Sequence, residues 1–173
     1  SWLTAECESI YQREAGAYFE NPADALDRWG AVIGQDAATA HQLGLALARP
    51  RLPPEARVRA IELLEMQRGA LRSLTSCAWF FDDIGGIESL QVLRYAAWAL
   101  ALTGSERTRI EDGFTARLAL AESNVRTLGT GREIYLQRVR PHLPPPVRIA
   151  AGLAAARRIA PGAAGSRAWE ITG

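Results

Sequence analysis

Apolar residues recur at spacings of three and four along almost the whole chain, and this period constrains the fold more than any other feature of the sequence. Ala25, Trp29 and Ile33 fall four apart; Ala60, Leu64, Leu71, Leu74, Ala78 and Phe81 share one helical face; Ile87, Leu90, Leu93, Ala97 and Leu100 mark a second, and Ile110, Phe114 and Leu118 a third. Alternating apolar and polar runs, the mark of half-buried strands, are scarce. The expected class is therefore all-α, a multi-helix bundle.

Punctuation divides the pattern. A first helix is expected from Trp2 to Phe19, and Asn21-Pro22 then supplies an N-cap and a proline at the first helical position. A segment from Ala37 to Ala48 ends at Arg49-Pro50-Arg51-Leu52-Pro53-Pro54. The longest helix should run from Pro54 to about Asp82, roughly 40 Å at the α-helical rise. Gly85-Gly86 closes it, and a helix from Ile87 stops before Gly104. So short a connection implies a long antiparallel central hairpin. Ser105 is a candidate N-cap for the next helix; residues 124–131 read as a loop, followed by a short helix from Arg132 to Arg140 and the stop Pro141. Pro144-Pro145-Pro146 leads into a last helix, about Val147 to Ile159. One helical domain over 1–160 with a frayed tail over 161–173 is the expected organisation.

Charge excludes several classes. All twenty basic side chains are arginine, and nineteen acids reduce them to a net charge of +1, which offers no electrostatic case for nucleic acid or an anionic membrane. Arginines and acids interrupt every apolar run before it reaches the length of a membrane span. Cys7 and Cys77 belong to no CxxC or Cys/His cluster, so neither zinc nor a thioredoxin-like site is expected, and a reducing, cytoplasmic setting fits best. His41 and His142 stand in unrelated segments without ligand spacing. No metal or cofactor is expected. The chain opens on Ser1-Trp2-Leu3, with neither a signal peptide nor an initiator methionine, as a piece of a longer protein would.

The segment with most chemistry is TSCAWFFDDIGGIESLQVLRYAAWAL, Thr75 to Leu100. Asp82 and Asp83 fall near an expected helix C-terminus, where the macrodipole disfavours anions, so something should compensate them: the start of the next helix, an arginine such as Arg72 or Arg94, a cation, or sugar hydroxyls. Capping of the next helix by Asp83 or Glu88 is the plainer alternative. Trp79, Phe80 and Phe81 spread over about 200° of a helix, so at least one must face a second surface: a neighbouring helix, a partner domain or a sugar ring. Ser76 beside Cys77 has no nearby histidine to activate it. Asp82 with Glu88 as a glycosidase pair would need a cleft between them. Gly131-Arg132-Glu133-Ile134-Tyr135 forms a second polar cluster, where a helix start could hold an anion or Arg132 could pair with an acid of the hairpin.

The Thr75–Leu100 block resembles the signature of the helical C-terminal domain attached to glycoside hydrolase family 57-like proteins, and Leu63–Arg68 and Gly131–Tyr135 resemble its flanking blocks. That resemblance implies a noncatalytic helical domain beside a catalytic barrel that acts on α-glucans and lies outside this chain. It also implies that Trp79, Asp82, Asp83, Glu88 and Arg132 contact the barrel or line its α-glucan cleft. The alternative is a structural or oligomerising bundle whose acids serve packing and capping alone.

Overall fold

A computed structural model describes residues 1–32, 35, 37–80 and 83–142, with the backbone alone at Val32, Ala37, Ala38, Cys77 and Trp79. Phe81, Asp82, the expected helix over 147–159 and the tail over 161–173 lie outside the described residues. Among those described the elements are helical: α1 (Trp2–Glu14), α2 (Pro22–Trp29), α3 (Ala37–Leu47), α4 (Pro54–Arg72), α5 (Cys77–Phe80), α6 (Ile87–Ala101), α7 (Arg107–Leu118) and α8 (Gly131–Ile134). Short 3-10 turns join several of them, and an isolated bridge pairs Glu122 with Thr130. No described helix is long and apolar enough to cross a membrane.

The described residues divide into two compact units, one formed by residues 1–11 and 65–142 and the other by residues from 12 to 64. In the second unit, α2 begins as its sequence dictates: Asn21 Oδ1 accepts the Asp24 N–H at 3.1 Å, and Pro22 occupies the first helical position. Phe19, Ala25, Trp29, Ala60, Leu63 and Leu64 are buried. Gly44 lies so close to Trp29 and Ile61 that a Cβ there would stand 2.9 Å from Ile61 Cγ1. Arg59 donates from Nε and Nη2 to Glu14 Oε2 at 3.1 and 2.9 Å, tying α4 to the end of α1.

In the first unit α1 buries Leu3, Cys7 and Ile10, three residues at helical spacing on one face. The buried Gln67 of α4 donates from Nε2 to the Cys7 carbonyl at 2.8 Å. On α7, the absence of a side chain at Gly113 admits the Trp2 indole, since a Cβ would come within 2.5 Å of it, and Arg117 stacks its guanidinium 4.0 Å above that ring. Arg109 pairs with Glu6 and Glu106. Gly69 leaves room for Trp98 and the backbone of Ala99, and Arg72 lies over the Tyr95 ring, so α4 meets α6 at both places.

Three expectations need correction. The first helix ends at Glu14 rather than Phe19, because the chain tightens into a 3-10 turn at Ala15–Ala17 and both Tyr18 and Phe19 N–H bond to the Ala15 carbonyl. The long helix ends at Arg72 rather than near Asp82. Ser73 Oγ bonds back to the Ala70 carbonyl at 2.6 Å, and Leu74 and Thr75 N–H take carbonyls three residues behind them, so the hydroxyl-rich stretch Ser73–Ser76 leaves the helix and α5 starts afresh at Cys77. The connection between α4 and α6 is thus a jointed segment and not a single turn. Ser105 does not cap α7, which comes after a 3-10 turn at Gly104–Glu106 and takes Glu106 at its N-cap position without a side-chain bond.

The close approach of α8 to α7 yields a stability prediction. A Cβ on Gly131 would lie 2.9 Å from the Leu118 carbonyl oxygen, a backbone atom that cannot rotate away. Gly131→Ala is expected to lower unfolding free energy in urea by roughly 1–3 kcal/mol despite alanine's better helix propensity, while leaving far-ultraviolet circular dichroism native in shape.

Candidate functional site

Asp83 is the best-defined acid of the Thr75–Leu100 block, and its bonds are to its own chain. Its Oδ1 accepts Ser123 Oγ–H at 2.8 Å and Asn124 N–H at 3.0 Å, from a loop forty residues further on. Its backbone carbonyl accepts Gly86 N–H at 3.2 Å and Ser89 Oγ–H at 2.8 Å. The Ser123 hydroxyl, helped by the amides of Asn124, Gly85 and Ile84, holds the Asp83 carboxyl below the ordinary carboxylate range against the opposing effect of burial. Asp83 is thus a staple between the turn that leads into α6 and the 123–124 loop. The compensation expected for it comes from hydroxyl and amide donors rather than from Arg72 or Arg94; Arg72 is the residue stacked on Tyr95.

Of the other expected site residues, the side chains of Glu88 and Arg132 are described, and neither shares the bonds of this staple. Glu88 occupies the first turn of α6, where a carboxylate favours the helix dipole, with an oxygen near the open face of Gly86. Trp79 belongs to α5, but its side chain, like the whole of Asp82, is outside the described residues. Phe80 beside it is 82% exposed and Ile87 at the start of α6 is 75% exposed. Arg132 is exposed on the first turn of α8. The anion position expected at that helix start is taken by the chain's own carboxylate: Glu133 reaches back to accept both the backbone N–H and the hydroxyl of Thr130, at 2.6 and 3.1 Å. These bonds hold Glu133 below its usual range, with a smaller contribution from Arg132. Gly129 makes room for that carboxylate, since at its positive φ of 69° a Cβ would collide with it.

The sequence reading missed the buried carboxylate among the described residues, which lies elsewhere. Glu111 of α7 is only 8% exposed; its Oε1 accepts the Tyr135 hydroxyl at 2.9 Å and forms an ion pair with Arg140, whose Nε lies 3.2 Å away. Tyr135 is fully buried, and Phe114 meets it edge-on with ring centroids 5.5 Å apart. Burial first, and the Glu111 bond second, push the Tyr135 phenol far above its ordinary value, so it remains a proton donor to that carboxylate. Nothing around Glu111 in the sequence marks it: it comes directly after Ile110 on a helix read only for its apolar stripe. The Glu133 cap, by contrast, carries the Thr-x-x-Glu spacing of a capping box at Thr130.

Cys7 is no nucleophile. Cys7 is fully buried, and burial together with neighbouring Glu6 pushes its thiol up to about 12. The Cys77 side chain lies outside the described residues. Among the described residues no three of the His, Cys, Asp and Glu side chains gather as a metal site would require.

These features define an all-helical domain in which the well-placed acids serve the fold, binding loops and helix ends of the same chain. The chain belongs to the family described as Domain of unknown function (DUF3536), whose model matches residues 1–166. No curated protein and no solved structure matches it.

The lowered carboxyls make stability depend on pH. A carboxyl held below its ordinary value in the fold contributes stability that is complete above the unfolded value and is lost as pH falls through the folded value. Asp83 and Glu133 are both of this kind. The native chain should therefore lose stability as pH drops through and below the ordinary carboxylate range. Asp83→Asn and Glu133→Gln should each start less stable at neutral pH and show a shallower acid decline, measured by urea unfolding across pH. Parallel acid limbs in all three proteins would contradict the staple and the cap.

Proposed function

We propose that this chain is a noncatalytic helical accessory domain of a glycoside hydrolase family 57-like carbohydrate-active protein, packing beside the catalytic barrel and lining its α-glucan cleft with the Thr75–Leu100 block. Two things support the reading: the likeness of that block to the accessory domain's signature, and the character of the surface around it. Between Leu71 and Ile87 four large apolar side chains are exposed, Leu71 at 58% and Leu74 at 40% alongside Phe80 and Ile87. Isolated exposed apolar residues are ordinary, but such a concentration along one stretch of chain is what a domain leaves uncovered when its partner is absent. The engagement of Asp83 narrows the role of this segment: its carboxylate supports the loop, and the exposed Phe80 and Ile87 are the contact groups of this reading.

A purely structural or oligomerising bundle is the competing reading, and the Asp83 staple and Glu133 cap are what favour it. One experiment separates them. The chain is titrated into a separately produced barrel of the same polypeptide, and into maltooligosaccharides, by calorimetry, with light scattering to follow its own size. The accessory reading predicts saturable association with the barrel that Phe80→Ser and Ile87→Ser weaken about tenfold or more without changing Tm. It also predicts sugar binding that Trp79→Ala reduces. Self-association abolished by the same substitutions, with no heat from barrel or sugar, would establish the oligomerising bundle instead.

A further inference from the structure

The segment immediately after α8 is wound as a π-helix over Tyr135–Val139, and the Arg140 N–H closes it on the Tyr135 carbonyl, an i→i+5 bond. Such turns are rare and are commonly found where a helix has been adapted to a task. The same two residues are joined a second time through their side chains, since Glu111 Oε1 accepts the Tyr135 hydroxyl and pairs with the Arg140 guanidinium. In an α-helix, residues five apart stand about 140° apart around the axis and their side chains diverge. The wider π turn returns them to one side, where a single carboxylate oxygen on α7 reaches both. The N-terminal end of the segment is fixed independently, because Gly131 N–H donates to the Ala121 carbonyl at 2.8 Å and Gly131 has no space for movement against Leu118.

We propose that Glu111 is the latch of a two-register element: bonded to Tyr135 and Arg140 it holds residues 135–139 in the π register, and released it lets the turn tighten to α. Tightening by one residue rotates the Arg140–His142 turn by about 100° around the helix axis. It also withdraws the Arg140 side chain from Glu111. The groups that meet this latch are the Glu111 carboxylate on α7, the Tyr135 phenol and the Arg140 guanidinium, with Arg107 from the start of α7 adding positive charge nearby. Phe114 meets the Tyr135 ring edge-on beside the latch. Any partner that competes for the half-exposed Arg140 guanidinium, an acidic peptide for example, would release the latch.

The register is read directly by through-hydrogen-bond scalar coupling in the labelled full chain. The native protein should show coupling between the residue-140 amide nitrogen and the residue-135 carbonyl carbon. In Arg140→Met, which changes a residue at the surface and should leave the fold intact, and in Glu111→Gln, which keeps the acceptor but loses the charge, this coupling should shift to the residue-136 carbonyl. Amide exchange at residues 139 and 140 should accelerate about tenfold, as expected when a charge-assisted bond is lost. Coupling that stays on residue 135 in both variants would overturn the proposal. So would a shift produced by Pro141→Ala but by neither of the other two, because the π turn would then be set by the proline, which has no N–H to continue the helix.

Discussion

The contact between Gly131 and the carbonyl of Leu118 governs the first unit. It lets the returning chain lie directly on the end of α7, and the Gly131 N–H bond to Ala121 locks it there. With that point fixed, α8 runs back along α7, Tyr135 arrives over Phe114, and its hydroxyl finds Glu111. Another glycine, Gly113, gives α7 a second place of close approach and receives the Trp2 indole under Arg117. Helix α7 is therefore a keel whose two approach points depend on missing side chains, and the polar ties of the unit depend on that geometry.

A consequence is that three acids among the described residues are engaged before any ligand arrives. Asp83 holds the turn into α6 against the 123–124 loop, Glu133 caps α8, and Glu111 gathers Tyr135 and Arg140. Each is stabilised by donors of its own chain, which is the arrangement of a scaffold. Among the described residues several large apolar side chains are exposed, Leu120, Phe80 and Ile87 most of all, and the contrast between these and the engaged acids is what the accessory reading proposed above draws on.

How far the sequence revealed this depends on the range of the interaction. The starts of α2 and α4 were legible because Asn21-Pro22 and Pro54 act within a turn, and the helical class came from apolar spacing alone. The break at Ser73–Ser76 was hidden because Leu71, Leu74 and Ala78 keep the helical period through it, while serine and threonine side chains compete for the backbone without disturbing that pattern. Asp83 was recognisable as an acid in need of compensation, but Ser123 lies forty residues away and nothing local points to it. Glu111 illustrates the limit most clearly, since its burial is created by residues that arrive only when α8 folds back.

The most direct test of the accessory reading is hydrogen–deuterium exchange of this chain alone compared with the same chain in a polypeptide that carries the catalytic barrel. If the exposed segment is a docking surface, amides over residues 71–87 gain protection in the longer polypeptide while those of α7 and α8 exchange at the same rates in both. Equal exchange over 71–87 in the two proteins would contradict the account and leave the domain as a bundle that is complete in itself.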